Sequence, residues 1–283
     1  MKLLILSGRS GSGKTTALQA LEDLGFYCVD NLPLGLLPTL ATQLREENHD
    51  IQRVAVGIDA RNLRSQLPCF AELLARVKAQ GVACEVIYLD ADHDTLLNRF
   101  SATRRRHPLS DQNMSLSEAI GHEGELLASI QGAADLLVDT SHLDPHSLRN
   151  LIRMRVAQRE GRLSLLLESF GFKNGVPPDA DLVFDARMLP NPHWDPALRP
   201  FDGRQPPIID FLDAQPDSAQ LLDDLEHWLL RWLPRYEAND RSYMTVAIGC
   251  TGGRHRSVYL VEHLAERLRK AGWPAQVRHL QLE

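Results

Sequence analysis

The residues whose types and spacing best suit chemistry lie near the start of the chain. Residues 8–15 read Gly-Arg-Ser-Gly-Ser-Gly-Lys-Thr, which fits the phosphate-loop pattern G-x-x-x-x-G-K-[ST] without a mismatch. In that pattern the glycines let backbone N–H groups point at phosphate oxygens, the lysine reaches the β- and γ-phosphates, and the last hydroxyl binds Mg²⁺. The alternative is a glycine-rich turn with a solvent-exposed lysine. Because an apolar strand pattern precedes the loop and a helix pattern follows it, we predict a nucleotide site at Gly8, Arg9, Ser10, Gly11, Ser12, Gly13, Lys14 and Thr15.

A second candidate metal ligand follows the third apolar run of the chain. Residues 54–58 form an apolar strand pattern that is followed directly by Asp59. An apolar strand that leads into an aspartate is typical of a Walker B element, whose carboxylate holds Mg²⁺. We therefore predict that Thr15 and Asp59 bind the same metal ion. Asp30 and Asn31 follow the second apolar run, where they either face a ligand crevice or form an ordinary turn.

An arginine cluster follows the fourth strand pattern and its helix. Arg104, Arg105 and Arg106 stand at the end of that helix pattern. This order of strand, short acidic turn, helix and arginine cluster resembles the lid region of small P-loop kinases, where arginines close over the transferred phosphate. The alternative is a solvated basic end of a helix.

A second glycine-bearing loop follows the strongest strand pattern of the second half, residues 242–249. A helix pattern begins directly after the loop, so the unpaired N–H groups at the start of this helix form a second candidate anion site. The spacing Cys-x5-Arg-Ser also matches cysteine phosphatases, in which a thiolate attacks phosphorus and an acid, here Asp185 or Asp195, protonates the leaving group. Phosphate binding without chemistry, phosphatase catalysis and a structural turn with a buried thiol all stay open. The loop consists of Cys250, Thr251, Gly252, Gly253, Arg254, His255, Arg256 and Ser257.

Alternating strand and helix patterns position these loops in two α/β domains. The patterns in residues 1–158 predict a P-loop, kinase-like domain built around a parallel sheet. A charged break at residues 159–162 separates it from residues 163–283, a second α/β domain with a strand–Cys-x5-Arg loop–helix anion site. Within this second domain we expect a long proline-rich loop between residues 189 and 211 and a helix over residues 217–232.

Composition restricts the class of protein. Of the 283 residues, 43% are hydrophobic and 24% are charged, which is typical of globular domains. No apolar run approaches about 18 residues, and the four cysteines lack C-x-x-C spacing, so we expect no membrane span, no zinc site and a cytoplasmic location. The net charge is −6, yet residues 254–283 carry six Lys or Arg against three Glu. A basic end on an acidic chain points to a polyanionic partner.

Five blocks of sequence together resemble the RapZ/YvcJ family of nucleotide-binding proteins. They occur in one order along the whole chain, at residues 8–15, 25–33, 168–173, 185–195 and 247–258. The resemblance implies that the protein binds ATP and GTP and hydrolyses them weakly; Mg²⁺ is the cofactor that the phosphate-loop pattern predicts. Besides the phosphate loop, it implies a GTP-associated element made of Asp59, Ala60, Arg61 and Asn62.

The same resemblance implies an RNase adapter that presents a small regulatory RNA to an endoribonuclease and so tunes glucosamine-6-phosphate synthesis. A homo-oligomer is expected. The C-terminal half would bind a phosphorylated amino sugar through Asp185, His193 and the loop at residues 250–257. Family tails often end in a basic run, whereas this chain ends His-Leu-Gln-Leu-Glu, so RNA contact would depend on upstream residues. These are Arg267, Arg269, Lys270, Arg278 and His279.

Two further functions stay open. A small-molecule kinase would use Lys14, Asp59 and the arginines at residues 104–106 on an acceptor near Asp30. A sugar-phosphate sensor would instead couple a nucleotide site to a ligand site. Turnover with a small acceptor would favour the kinase, and tight RNA binding without turnover would favour the adapter.

Overall fold

The computed structural model of the protein describes residues 2–47, 51–61, 67–103, 105–110, 114–157, 163–239 and 241–282. The chain divides into two units, residues 1–157 and 158–283. Each unit has its own parallel sheet and its own hydrophobic core. The predicted break at residues 159–162 lies outside the described residues. In the described ranges, no helix is both long enough and apolar enough to cross a bilayer.

The N-terminal unit alternates strands with helices, as its sequence patterns predict, except that two helices follow its fourth strand. Its elements are β1 (Lys2–Gly8), α1 (Lys14–Asp23), β2 (Tyr27–Val29), α2 (Leu37–Glu47), β3 (Arg53–Gly57), α3 (Phe70–Ala79), β4 (Ala83–Asp90), α4 (His93–Thr103), α5 (Leu116–Gly132), β5 (Leu136–Asp139) and α6 (Pro145–Ala157). The strands are parallel and lie in the order β2-β3-β1-β4-β5. Strand β1 is central, and Leu3, Leu4, Ile5 and Leu6 are fully buried, which explains its uninterrupted apolar sequence. The phosphate loop therefore leaves the carboxyl end of the central strand, where open parallel sheets bind ligands.

The C-terminal unit is a second parallel α/β structure. Its elements are β6 (Ser164–Gly171), β7 (Leu182–Asp185), α7 (Pro206–Asp213), α8 (Pro216–Ala238), β8 (Tyr243–Cys250), α9 (Arg256–Lys270) and β9 (Ala275–His279). The strands lie in the order β7-β8-β6-β9. Every residue of β6 and β8 is buried. The Cys250 loop leaves the carboxyl end of β8 and leads into α9, as the sequence predicts.

Helix α5 is an element that the sequence patterns did not reveal. Ser115 begins it with a capping box, in which the Ser115 hydroxyl accepts the Glu118 N–H at 3.3 Å and the Glu118 carboxylate accepts the Ser115 N–H at 2.8 Å. Gly121 and Gly124 lower the helix propensity of this segment. A carboxylate, Glu123, also interrupts its buried apolar face. Together these residues obscure the helical period.

Two element boundaries in the C-terminal unit differ from prediction. The loop expected over residues 189–211 is shorter, because a 3-10 turn covers Pro192–Trp194 and α7 begins at Pro206. A proline fits the first turn of a helix, where its missing N–H would be unpaired anyway. The helix predicted over residues 217–232 continues past Pro234 to Ala238. Tertiary packing of its buried leucines outweighs the hydrogen bond that this proline removes.

Candidate functional site

The loop between β1 and α1 has the backbone shape of an anion site. Gly8 and Gly13 adopt φ angles of 145° and 102°. A methyl group at Gly8 would lie 2.0 Å from the carbonyl oxygen of Leu89, and one at Gly13 would lie 2.5 Å from Cδ2 of Leu148. Gly13 is the N-cap residue of α1 and has no side chain that could accept a hydrogen bond from the first N–H groups of the helix. The first N–H groups of the helix are therefore available to an anion.

Lys14 is folded into this loop. Its ammonium group donates to the carbonyl oxygen of Gly8 at 2.6 Å and to that of Arg9 at 3.1 Å. Burial lowers the pKa of Lys14, while the carboxylates of Glu123 and Asp59 act in the opposite direction. The lysine thus lies against the loop that the pattern assigns to phosphate.

A cavity of about 700 Å³ opens over the loop. Loop residues 10–16 form one part of its wall, and the predicted metal ligand Asp59 lines it as well. Arg105 and Arg106 also line it, so the structure places two members of the predicted arginine cluster beside the phosphate loop. The third member, Arg104, lies outside the described residues.

Arg99 is a further cation at this cavity, and sequence reasoning missed it. Its guanidinium donates to the carbonyl oxygen of Gly11 and to the hydroxyl of Thr140, both at 3.0 Å. The Thr140 hydroxyl also lies 3.0 Å from the carbonyl oxygen of Ser12. The nearness of Arg99 to the arginine cluster, five positions before Arg104, was the only signal that the sequence offered.

The predicted metal ligand Asp59 is engaged by a neighbour. Its carboxylate accepts the Arg61 N–H at 2.9 Å and the Arg61 guanidinium at 2.6 Å. Thr15 lines the same cavity. In the described residues, no cluster of three or more His, Cys, Asp or Glu forms a dedicated metal site. A hydroxyl and one carboxylate beside a phosphate loop fit Mg²⁺, which uses one or two protein ligands together with phosphate oxygens and water. Asn62, the last residue of the predicted element, lies outside the described residues.

Glu123 is the second residue that sequence reasoning missed. Its carboxylate accepts the Ser10 N–H and the Ser10 hydroxyl, both at 2.7 Å, and lies 3.0 Å from Nε2 of His107. Burial raises the pKa of Glu123, but the bonds from His107 and Ser10 and the charge of Lys14 outweigh burial, so the net shift is downward. The carboxylate is therefore ionised against the back of the phosphate loop.

The Cys250 loop encloses its thiol. Cys250 is 2% exposed, and its sulfur lies 3.2 Å from the hydroxyl of Ser257. Burial raises the pKa of this thiol, but hydrogen bonds from Ser257 and Gly253 and the charge of Arg256 outweigh burial and lower it. Thr251 and Arg254 are the exposed side chains of the loop. An anion can therefore reach the rim of the loop more readily than its sulfur.

Arg256 lies beneath this loop. Its guanidinium donates to the carbonyl oxygens of Arg187 at 3.0 Å and Leu189 at 2.8 Å and to the hydroxyl of Thr251 at 3.2 Å. It is 3% exposed. Arg256 thus ties the start of α9 to the segment after β7, which brings Asp185 to the same end of the sheet.

The remaining predicted ligands lie around the loop. The Asp185 carboxylate pairs with Arg187 at 2.6 Å. The His193 ring lies 6.1 Å from that of His255, measured between centroids. Asp195, the other candidate acid, is exposed.

Two of the predicted RNA contacts are largely buried. The side chain of Arg278 is 9% exposed and lies 3.8 Å from the carboxylate of Glu168. His279 lies 2.9 Å from the Glu262 carboxylate through Nε2 and 2.8 Å from the Ser169 hydroxyl through Nδ1. Both residues thus contact neighbouring protein groups.

The other three predicted contacts lie at the end of α9. Arg267 pairs with two carboxylates of α8. Lys270 is exposed and pairs with Glu266 one turn before it at 2.7 Å. Arg269 is exposed, and its Nε donates to the carbonyl oxygen of Ala275 at 2.9 Å.

A second pair of exposed cations lies on α8. Arg235 and Arg231 stack over the ring of Trp232 at 4.5 and 5.9 Å from its centroid. No carboxylate of the described residues forms an ion pair with either arginine. The cation–π contact orients these guanidinium groups while leaving their donors available.

The parallel sheet, the glycine loop after its central strand and the folded lysine define a P-loop protein. The chain belongs to the RapZ family. A family model of the RapZ-like N-terminal domain matches residues 1–160, and one of the RapZ C-terminal domain matches residues 163–283.

Relatives extend over the full chain. A protein named nucleotide-binding protein from Alcanivorax borkumensis is 64% identical over 282 residues, and one of the same name from Ectopseudomonas mendocina is 55% identical over 284 residues, each covering 100% of both chains. Two solved structures have weaker similarity to this chain. Shikimate kinase from Acinetobacter baumannii, in complex with shikimate, has 17% identity and a TM-score of 0.38. The Deinococcus radiodurans tunicamycin resistance protein has 16% identity and a TM-score of 0.40. Each covers 56% of this chain and 96% of its own.

Proposed function

We propose that the N-terminal unit binds ATP or GTP with Mg²⁺ in the cavity over the phosphate loop. The observation that carries this proposal is that Lys14 and the N-terminal end of α1 converge on one cavity with the arginines at positions 99, 105 and 106. A polyphosphate needs this concentration of positive charge and N–H groups. The names of the full-length relatives support the same conclusion.

The residues have distinct roles in this site. The N–H groups at the start of α1 bind phosphate oxygens, and Lys14 exchanges its two carbonyl contacts for the outer phosphates. Thr15 and Asp59 hold Mg²⁺ after Arg61 turns away from the carboxylate. Arg99, Arg105 and Arg106 balance the remaining charge, and hydrolysis, where it occurs, is slow.

Calorimetric titration with ATP and GTP in the presence of Mg²⁺ tests this proposal. Lys14→Ala should lower affinity at least tenfold, because a charge-assisted hydrogen bond to phosphate contributes about 1.5–3 kcal/mol. Lys78→Ala, a change at an exposed lysine of the same unit, is the matched control and should bind normally. Equal affinity of wild type and Lys14→Ala would refute the site.

We propose that the C-terminal unit binds a phosphorylated amino sugar at the Cys250 loop. We also propose that the whole protein acts as an adapter. The observation that favours the ligand is a second glycine-bearing strand-to-helix loop with Thr251 and Arg254 exposed at its rim. Membership in the RapZ family supports the finer function: a cytoplasmic homo-oligomer that binds a small regulatory RNA and presents it to an endoribonuclease.

Copurifying RNA distinguishes the adapter from its alternative, a small-molecule kinase or NTPase. RNAs captured by the wild-type protein should be enriched over those captured by a variant with Arg269→Gln and Lys270→Gln, the two exposed cations at the end of α9. Phosphoryl transfer to small acceptors should be absent. Efficient turnover of an acceptor, with no RNA enriched, would favour the kinase instead.

A further inference from the structure

Glu123 and His107 lie behind the cavity wall and join two parts of it. Ser10, which contacts Glu123, lines the cavity on the loop side. Arg105, Arg106 and Pro108 line it on the other side, and His107 stands among them with its side chain turned inward. Neither Glu123 nor His107 is a lining residue, and the side chains of both are fully buried.

Hydrogen bonds on both sides restrict the side-chain positions of Glu123 and His107. Glu123 receives two hydrogen bonds from Ser10 on one side and contacts His107 on the other. The second ring nitrogen of His107, Nδ1, accepts the Leu109 N–H at 3.2 Å, so Nε2 carries the proton toward Glu123 in the neutral ring. The ring of Phe100 packs against that of His107 at 5.0 Å between centroids.

We propose that Glu123 and His107 are positioning residues that tie the phosphate loop to residues 105–108, here called the arginine segment, so that Arg105 and Arg106 meet the outermost phosphate of a bound nucleoside triphosphate. The inference rests on the proposed nucleotide site. A change in loop shape on phosphate binding moves Ser10, and through the buried link it moves the two arginines. Because coupling is reciprocal, engagement of the arginines in turn favours the phosphate-bound shape of the loop.

The alternative is a purely structural buried pair. A buried charged pair contributes little net stability over a well-packed apolar replacement, since desolvation offsets its attraction. Stability alone therefore does not account for a carboxylate within an otherwise apolar face of α5. Its contacts instead specify one arrangement of loop and arginine segment, which matters for a site that must distinguish phosphate chains of different length.

The test compares the affinities for ATP and ADP with Mg²⁺ by calorimetry. The wild-type protein should prefer ATP by about tenfold or more, and Arg105→Gln with Arg106→Gln should remove that preference. Glu123→Gln should remove it too, while ADP affinity stays within about threefold, because Lys14 and the start of α1 are unchanged. Adding Glu123→Gln to the arginine variant should have no further effect. Glu125→Gln, on the exposed face of the same helix, is the matched control.

A second variant distinguishes loss of the contact between Glu123 and His107 from a general loss of stability. His107→Phe retains a ring against Phe100 but removes the contact with Glu123, so it should lose the ATP preference as Glu123→Gln does. Equal losses of ATP and ADP affinity in both variants, additive effects in the combined variant, or no ATP preference in the wild type would overturn the inference. Failure of the wild type to bind either nucleotide would instead overturn the nucleotide site itself.

Discussion

The guanidinium of Arg267 donates to the carboxylate of Asp223 at 2.6 Å and so ties α9 to α8. Arg267 also lies 3.1 Å from Glu226 on the same helix. A phosphate would have to compete with two carboxylates for this cation. A residue that the family resemblance assigned to RNA thus helps to hold two helices of its own unit together.

We expect Arg269→Gln with Lys270→Gln to weaken binding of a stem-loop RNA and to flatten the slope of log affinity against log salt by about 1.4–1.8, since each phosphate contact contributes roughly 0.7–0.9. Gel shifts across a salt series measure both quantities. Arg278→Gln should leave the slope unchanged, because its side chain faces Glu168. Arg231→Gln with Arg235→Gln on α8 is the matched comparison. If only that pair changes the slope, RNA binds at α8 rather than at the end of α9.

Arg256→Ala should weaken binding of glucosamine-6-phosphate at least tenfold in calorimetry. The side chain holds the carbonyl oxygens of Arg187 and Leu189 beneath the loop, so its loss removes positive charge and loosens the loop. Arg204→Ala, a change at an exposed arginine that pairs with Asp202, should bind normally. Equal affinity of wild type and Arg256→Ala would place the sugar phosphate elsewhere.

No appreciable phosphatase activity is expected from Cys250. Its pKa is lowered, but the sulfur is buried against Ser257, and the candidate acid Asp185 is paired with Arg187. A nucleophile must reach phosphorus in line, and this sulfur is 2% exposed. An aryl phosphate assay with wild type and Cys250→Ser checks the point. A product burst that disappears in Cys250→Ser would contradict it.

Gly8→Ala should destabilise the N-terminal unit by more than about 2 kcal/mol, because it adds a clash to the cost of a left-handed backbone. The new methyl group would meet the Leu89 carbonyl oxygen at 2.0 Å. Gly81→Ala separates the two effects, since Gly81 has a φ of 78° but no atom within 4 Å of the added carbon. Thermal unfolding should show a clearly smaller loss for Gly81→Ala. Similar losses for both would mean that the phosphate loop relaxes around the new side chain.

Glu123→Gln should make the stability of the protein less sensitive to acid. The bonds and charges around Glu123 depress its pKa in the folded state despite burial. Its electrostatic contribution is therefore present above the unfolded pKa of about 4.3 and is lost as the pH falls through the lower folded pKa. Melting temperatures measured from pH 7 downward should fall less steeply below about pH 4.5 in Glu123→Gln than in the wild type. Parallel curves would show that folding does not lower the pKa of Glu123.

The sequence by itself determined the two parallel α/β units and the position of both glycine loops. These features depend on local rules: buried strands read as apolar runs, and the tight backbone at Gly8 and Gly13 excludes side chains. Five blocks in one order also sufficed to recognise the RapZ family, which two family models confirm.

Only the tertiary structure decided which partners the charged residues have. Ser10 and Glu123 are 113 positions apart, and Arg267 and Asp223 are 44 apart, so no local spacing indicates either contact. A cation that folding buries, or pairs with two carboxylates at once, is less available to a ligand than an exposed one. The family resemblance therefore assigned Arg267 and Arg278 to RNA, whereas the fold pairs both with carboxylates and leaves Arg231 and Arg235 exposed on α8.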